Sequence, residues 1–516
     1  MARRSFPDSI AVVVAERDAP AFWRAFARAR RAARLLELRL DYLGSVAEIV
    51  RVLDRLARKL RGRPGSATLI ATCRRRPDGG EFTGSPSAQL ALLALAARAG
   101  CRWVDVDAAT VQKFPPRLRE ALLPPVGRIV SFHDFRRTPT RLKSLYRRLA
   151  RFAGPRDKVK IAVTARRQRD NLAVLALARR HRRRAIALAM GTAGLPSRVL
   201  GLRAGSLLTY AAPDKGQATA PGQVTLSDLR RLYRPQRLNA RTRVYGVVGR
   251  PIAHSLSPPL HNAAFVATRQ NAVYLPFEVE RLPDFLSCLG PLGIAGFSVT
   301  APHKQAILRY LDGVDPLAKM IGAVNTVVVR GSSRGKRRLY GYNTDYVGIL
   351  RTLQRSIRIR ASRVLLVGAG GSARAVAFAL ATAGALVCVT ARRPAAARAL
   401  ARAVGGLAVP RADVRRERFD AIINCTPVGQ TPNVKDSPLQ AGELNCRVLV
   451  DLVYNPRGTR LLRWGRRRRL RVVPGWEMLV EQGAAQYEIW TGLRAPLPVM
   501  RRAVLQRLPR GAESTI

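Results

Sequence analysis

Acidic residues are scarce in this chain: 33 Asp and Glu stand against 91 Lys and Arg in 516 residues, a formal charge of +58. Lysine is scarce too, since 10 of the cations are Lys and 81 are Arg. Up to residue 240 there are 49 basic and 17 acidic side chains, and beyond it 42 and 16, which excludes a basic tail on a neutral body. Aromatic residues make up 6% and do not interleave with the basic runs at 182–184 and 466–469. No groove-reading element accompanies those runs, so specific nucleic-acid recognition is not expected, whereas weak, salt-sensitive attraction for polyanions is. Cys73, Cys101, Cys288, Cys388, Cys425 and Cys446 form no CxxC and no metal-like Cys/His spacing, so no metal is expected, only buried thiols in a reducing compartment. Long apolar runs are absent. The apolar, uncharged stretch 375–391 is 17 residues with Gly384 inside it, too short for a bilayer span and better suited to helix, turn and strand. Met1 leads straight into an apolar strand, so neither signal nor transit peptide is expected, and a cytoplasmic location follows.

What is present is a globular composition, 47% hydrophobic with 40 Gly and 33 Pro, which excludes disorder, collagen and coiled coil. The length predicts two to four domains. Through the first 215 residues, short apolar runs alternate with Ala/Leu/Arg-rich segments of helix length. Strands are predicted at 10–15, 36–40, 68–73, 103–106, 128–132, 159–163, 185–189 and 206–209. Eight βα repeats predict a parallel sheet closed into a (β/α)8 barrel over 1–226. A polar linker is expected at 227–243, then a second α/β region at 244–345 and a nucleotide-binding α/β domain at 346–475. Helices at 476–516 are expected to pack back on the latter part.

In such a barrel the C-terminal strand ends face the active site. Those ends carry Glu37, Arg39 and Asp41, then Arg74, then His133 in SFHDF and Lys160 in KVKIAV, with TAPGQ at 219–223 beyond the eighth strand. A lysine inside an apolar strand is costly unless paired or neutral. Arginine neighbours and low polarity are expected to lower its pKa, which suits an amine that attacks a ketone to form a Schiff base, with His133 moving protons. The motifs ELRLD (37–41), TCR and DGG (72–80), SFHDF (131–135), KIA (160–162), MG and SR (190–198) and APGQ (220–223) resemble type I 3-dehydroquinate dehydratase. The resemblance implies that Lys160 forms the imine with the C3 ketone and that His133 removes the C2 proton and returns it to the departing C1 hydroxyl. It further implies that Asp78 orients His133, and that Glu37, Arg39, Arg74, Arg198, Thr219 and Gln223 hold the substrate. Asp78 stands where Glu is usual, and Thr219 where Ser is usual.

At 368–375 the sequence GAGGSARA lies between an apolar strand and a helix, the arrangement of a dinucleotide site with the pyrophosphate on helix N-terminal amides. The following strand ends in Thr390, Ala391, Arg392 and Arg393, with two guanidiniums where an NAD enzyme offers an acid, so NADP is expected. Upstream, Pro302 suits a first helical turn and places Lys304 near a helix N-terminus, with Asp345 placed to orient it as a proton donor. HSLSP (254–258), GFSVTAPHK (296–304), GAVNT (322–326), GYNTD (341–345), NCTPVG (424–429), DLVYNP (451–456) and GWEMLVEQ (475–482) resemble shikimate dehydrogenase. That resemblance implies catalytic Lys304 and Asp345, and substrate contacts from Ser255, Ser257, Thr300, Asn325, Tyr454 and Gln482. On the cofactor side it implies Gly368, Ala369, Gly370, Gly371, Ser372, Ala373, Arg392, Arg393, Thr426 and Gly475. Ser298 and Ala391 stand where Asn is usual.

Together the two resemblances imply a bifunctional enzyme that dehydrates 3-dehydroquinate and then reduces 3-dehydroshikimate with NADPH. The alternatives are a quinate-utilising pair working in the catabolic direction, and a polyanion-binding protein that keeps the folds. Intact Lys160, His133, Lys304 and Asp345 weigh against the second alternative. Oligomeric state, channelling and flux direction are left open.

Overall fold

The computed structural model describes residues 8–60, 67–114, 126–331 and 337–509. They fall into two units, Met1–Thr242 with Pro276–Leu292, and Arg243–Leu275 with Gly293–Ile516.

In the first unit the apolar runs become β1 (Ile10–Val14), β2 (Leu35–Arg39), β3 (Thr68–Thr72), β4 (Trp103–Asp107), β5 (Gly127–Asp134), β6 (Lys158–Thr164), β7 (Ala185–Met190) and β8 (Thr209–Ala212). A two-residue β9 (Val224–Thr225) extends the sheet beside β8. The order is β7-β6-β5-β4-β3-β2-β1-β8-β9, with all eight neighbouring pairs parallel. Helices return the chain between strands. Val46–Leu60, for example, buries Ile49, Val52, Leu53 and Leu56, an i, i+3, i+4, i+7 stripe against the sheet.

The sheet curls until its ends meet. Ahead of β8, the Leu207 amide donates to the Ala185 carbonyl (3.0 Å), and the Ala187 amide donates to Ser206 Oγ (3.1 Å). This corrects the predicted eighth strand, which lies at Thr209–Ala212 rather than 206–209. Ser206 serves the seam through its hydroxyl, and the regular ladder with β1 starts three residues later. Inside, Ala11, Val13, Leu35, Ile70, Trp103, Ile129, Ile186 and Leu208 fill the barrel below the strand ends. The stretch expected as a linker is structured: Asp228–Tyr233 make a helical turn that buries Leu229 and Tyr233.

The second unit contains two sheets. The first comprises β10 (Arg243–Gly249), β11 (Ala272–Glu278), β12 (Ile294–Val299), β13 (Gly313–Val314), β14 (Thr326–Arg330) and β15 (Arg338–Tyr342), in the order β11-β10-β12-β14-β15-β13. It is mixed: β10 and β12 are parallel, while β14 runs antiparallel to both β12 and β15. The other comprises β16 (Arg363–Val367), β17 (Leu386–Thr390), β18 (Leu407–Ala408), β19 (Phe419–Asn424), β20 (Cys446–Asp451) and β21 (Arg471–Pro474). Its order β18-β17-β16-β19-β20-β21 is wholly parallel, the doubly wound nucleotide-binding arrangement. The order reverses between β16 and β19, and ligands bind such sheets in that crevice. The helix Gly475–Thr491 then packs Val480, Ala484, Tyr487 and Trp490 against Tyr245, Leu260, Phe265 and Tyr274 of the mixed-sheet lobe.

Among the described residues no helix is long and apolar enough to cross a membrane, and no group of His, Cys, Asp or Glu is arranged to hold a metal ion. The six cysteines are free thiols, four of them buried.

Candidate active sites

Alternation along the barrel strands brings charged side chains to the upper interior. Glu37 and Arg39 come from β2, Asp105 and Asp107 from β4, Ser131 and His133 from β5, and Lys160 from β6. Arg74 follows β3. Lys160 Nζ lies 2.8 Å from Asp105 Oδ2 and 3.5 Å from Glu37 Oε1, and 4.2 Å from the centre of the Tyr210 ring. Arg74 joins the group by donating to Asp105 (3.0 Å), Asp107 (2.5 Å) and His133 Nδ1 (2.8 Å). Ser131 donates to Asp105 at 2.5 Å, and Thr72 to Glu37 at 2.8 Å. Arg39 holds Asp41 through a two-point contact of 2.9 and 2.7 Å. Arg198 is 2% exposed and its Nε has no partner; one NH2 bond to the Pro221 carbonyl (3.2 Å) anchors it. Gln223 accepts from the amide and hydroxyl of Thr219. Glu37, Arg39, Arg74, His133, Lys160, Arg198, Thr219 and Gln223 all line one cleft.

Two expectations are corrected here. Burial works against the Lys160 ammonium, but Asp105, Tyr210 and Glu37 outweigh it, so the pKa is raised and not lowered. The resting amine is therefore a charged member of an ion cluster. The other correction concerns Asp78, whose carboxylate accepts from Arg75 at 2.8 Å, while His133 Nδ1 faces Arg74. Asp78 thus pairs with its i−3 neighbour, and no hydrogen bond joins it to the imidazole among the described residues. Burial, followed by Arg74 and Lys160, holds His133 well below its ordinary pKa, so the ring is neutral. Burial would raise Asp105, yet Lys160 and Arg74 keep it well below the usual carboxylate range. Asp107 is pushed up to about 6, by burial first and by the Asp105 charge, with Arg74 opposing.

In the second unit, Lys304 Nζ meets Asp345 Oδ2 at 2.6 Å. Asn325 Nδ2 donates to the other carboxylate oxygen at 2.9 Å, while its own oxygen accepts from Thr326 Oγ1 and the Thr344 amide, both at 2.7 Å. Lys304 is not at an α-helical N-terminus as expected. It lies in a turn ahead of the short 3-10 helix Ala306–Tyr310, so Asp345, and not a helix dipole, is what its ammonium meets. Thr300 follows β12, its amide bonded to the Val248 carbonyl at 2.9 Å. Gln482 lies within 3.5 Å of the Thr344 hydroxyl, beside Asn325. Ser255 Oγ accepts from the Ser257 amide at 3.3 Å, opening the helix Ser257–Ala267. Tyr454 is half-buried against the aromatic core of the same lobe.

The glycine loop opens the helix Gly371–Thr382. Gly368 takes φ +114, and a Cβ there would stand 2.9 Å from Thr426 Cγ2, which places Thr426 against the loop. At Gly370 and Gly371 a Cβ would meet nothing within 4 Å, so both leave open space above helix N-terminal amides. Ser372, Arg392 and Arg393 are exposed around it, and Ala369 is half-buried. These features fit a dinucleotide carrying an extra phosphate. Ala373 is wholly buried in the sheet–helix core, so it packs the helix instead of facing a ligand. A Cβ on Gly475 would stand 2.5 Å from the Leu452 carbonyl, so this glycine serves close backbone packing.

Three family models match the chain: type I 3-dehydroquinase over residues 10–239, the shikimate dehydrogenase substrate-binding domain over 247–327, and the shikimate 5'-dehydrogenase C-terminal domain over 475–505. A bifunctional 3-dehydroquinate dehydratase/shikimate dehydrogenase, chloroplastic, from Arabidopsis thaliana is 36% identical over 484 residues, covering 90% of this chain and 78% of the relative. The chain belongs to the bifunctional 3-dehydroquinate dehydratase/shikimate dehydrogenase family. The second half is also 44% identical over 292 residues to a shikimate dehydrogenase (NADP(+)) from Moorella thermoacetica, covering 54% of this chain and 97% of that one.

Several residues of this bifunctional chain's sites escaped sequence reasoning. Asp105 and Asp107 sit in WVDVD, two carboxylates alternating in an otherwise apolar strand, which is the same anomaly that marks Lys160. Ser131 opens the SFHDF motif but was given no role, and Tyr210 carried no signal. In the dehydrogenase half, Thr326, Thr344 and Gln486 complete the network around Asn325, with Gln486 Nε2 donating to Thr326 Oγ1 at 3.1 Å. Gln486 lies one helical turn beyond Gln482, and that spacing was the available clue.

Proposed function

We propose that the barrel removes water from 3-dehydroquinate through a Lys160 imine, and that the second unit reduces the 3-dehydroshikimate so formed to shikimate with NADPH. The observation that carries the reading is Lys160 itself, a buried lysine in a cleft that also offers a neutral imidazole and three arginines. In the first reaction Lys160 hands its proton to a neighbouring acceptor, Asp105 being the nearest. The free amine adds to the C3 ketone and expels water to give an imine, an electron sink for the C2 carbanion. His133 takes the C2 proton and delivers it to the leaving C1 hydroxyl. Hydrolysis of the product imine restores Lys160, so the net change is loss of one water. Arg198, with an unspent buried nitrogen, is suited to the substrate carboxylate.

In the second unit NADPH, when bound, supplies a hydride to the C3 ketone. Gly370 and Gly371, with open space above them, would take its pyrophosphate, and the exposed Arg392 and Arg393 would hold its 2′-phosphate. Lys304 stabilises the charge that develops on the ketone oxygen and protonates it, with Asp345 and Asn325 fixing its flexible stem. Ser255, Ser257, Thr300, Tyr454 and Gln482 complete the substrate side. The test supplies 3-dehydroquinate and NADPH together while enone absorbance and NADPH consumption are followed. Borohydride added with dehydroquinate should leave an adduct on Lys160, and Lys160→Ala should abolish dehydration but spare reduction of dehydroshikimate. An adduct on another lysine, or full dehydratase activity in the variant, defeats the proposal.

A further inference from the structure

One arginine fastens the glycine loop to the lobe that carries Lys304. Arg374 is the fourth residue of the helix Gly371–Thr382, in the turn that follows the glycines. Its Nε donates to the Ile321 carbonyl at 2.5 Å and its NH2 to the Met320 carbonyl at 3.2 Å. Those carbonyls end the helix Pro316–Ile321, where the final carbonyls have no partner within the helix itself. The guanidinium also lies 4.9 Å from the centre of the Phe378 ring, and Phe378 packs with Ile321, Ala323 and Ala375. Hydrogen bonds on one side and an aromatic face on the other leave it one position.

What the clamp holds is the approach to the catalytic pair. After Ile321 the chain turns at Gly322, with φ +72, and runs straight on to Val324 and Asn325. The Val324 amide donates to the Lys304 carbonyl at 2.9 Å, and Asn325 holds Asp345 at 2.9 Å. Two residues next to the clamp thus fix the backbone of Lys304 and the carboxylate that orients its ammonium. Two of its five N–H donors are spent on the carbonyls of this one helix end.

We infer that Arg374 is a positioning residue, holding the Lys304–Asp345 pair in register with the glycine loop; this rests on the reductase reading given above. The test uses Arg374→Ala and Arg374→Lys in the full chain. Without any cofactor, amide exchange at 322–325 should speed up about tenfold in the Ala variant, because the helix end loses its fastening. Turnover of dehydroshikimate reduction should fall about tenfold, with Kd for NADPH changed less than about threefold. Arg374→Lys keeps the stem and charge but not the planar fork, and should recover part of both losses. Dehydratase activity in the same chain should be unchanged. Unaltered exchange in Arg374→Ala would overturn the clamp. A tenfold weaker NADPH affinity at constant turnover would make Arg374 a cofactor ligand and equally overturn it. Should the unmutated chain fail to reduce dehydroshikimate, the reductase reading falls, while the exchange measurement still decides the clamp.

Discussion

Replacing Asp105 by Asn removes one negative charge from the barrel cluster and keeps its shape. Asp105 is 1% exposed and accepts from Lys160 (2.8 Å), Arg74 (3.0 Å) and Ser131 (2.5 Å). Removing one partner of a buried ion pair costs about 3–5 kcal/mol, because the other charge is left uncompensated. Lys160 can relieve that cost by giving up its proton, and at about 1.4 kcal/mol per pH unit its titration should move down by at least about two units. Glu37, at 3.5 Å, retains only part of the attraction. The assay is borohydride trapping of the dehydroquinate imine as a function of pH, read as the fraction of chain carrying the adduct on Lys160. The variant should reach half-maximal trapping at lower pH than the unmutated protein. Its turnover should nonetheless fall, since Arg74, which also positions His133, loses an anchor. A trapping profile that does not move would refute the claim that Asp105 keeps the lysine charged.

Lys304→Ala and Asp345→Asn should each reduce dehydroshikimate reduction by roughly a hundred- to ten-thousand-fold, leaving NADPH affinity nearly unchanged. Joined by one 2.6 Å contact, they should be non-additive, and a double variant that loses the product of the single losses would reassign Asp345 to substrate binding alone. NADPH should be preferred to NADH, and Arg392→Ala should erase about a tenfold to hundredfold part of that preference; equal use of NADH by the unmutated chain refutes it. His261, wholly buried with a pKa pushed down to about 3 by desolvation, binds a proton less readily folded than unfolded. Its contribution to stability is therefore complete above about pH 6.5 and lost as pH falls towards 3. His261→Phe should flatten that acid loss in urea unfolding while costing about 1 kcal/mol near neutrality through the lost Gln486 bond; an equally steep acid loss in the variant would show that another group causes it.

The alternation of apolar runs and helical segments was enough to lay out the barrel, because period and length are local signals. Lys160 and the glycine loop were legible for a related reason: each breaks a local rule, a cation within an apolar strand or glycines at a helix start. Partners were not legible, since they depend on register. Asp107 stands opposite Ser131, and Ser131 opposite Lys160, in one row across β4, β5 and β6. Nothing in the sequence separates that row from one shifted by two residues, which would give His133 and Lys160 other neighbours. Asp78 was attached to His133 by the resemblance alone, and in the structure its carboxylate accepts from Arg75.

Arginine was the hardest residue to read, because in a chain with 81 of them its presence at any position carries little information. Burial restores the information. Among the described residues the arginines that are buried are Arg39, Arg74, Arg75 and Arg198, at 7, 3, 8 and 2% exposure. Three of them line the barrel cleft and the fourth holds Asp78 beside it. Desolvating a guanidinium is costly wherever it occurs. A composition that supplies arginine everywhere, yet buries it at one place, marks that place as the one where an anion, either the protein's own carboxylates or a substrate's, offsets the cost. By the same logic Arg392 and Arg393, which are exposed, draw their case from the absence of an acid beside them rather than from their own presence.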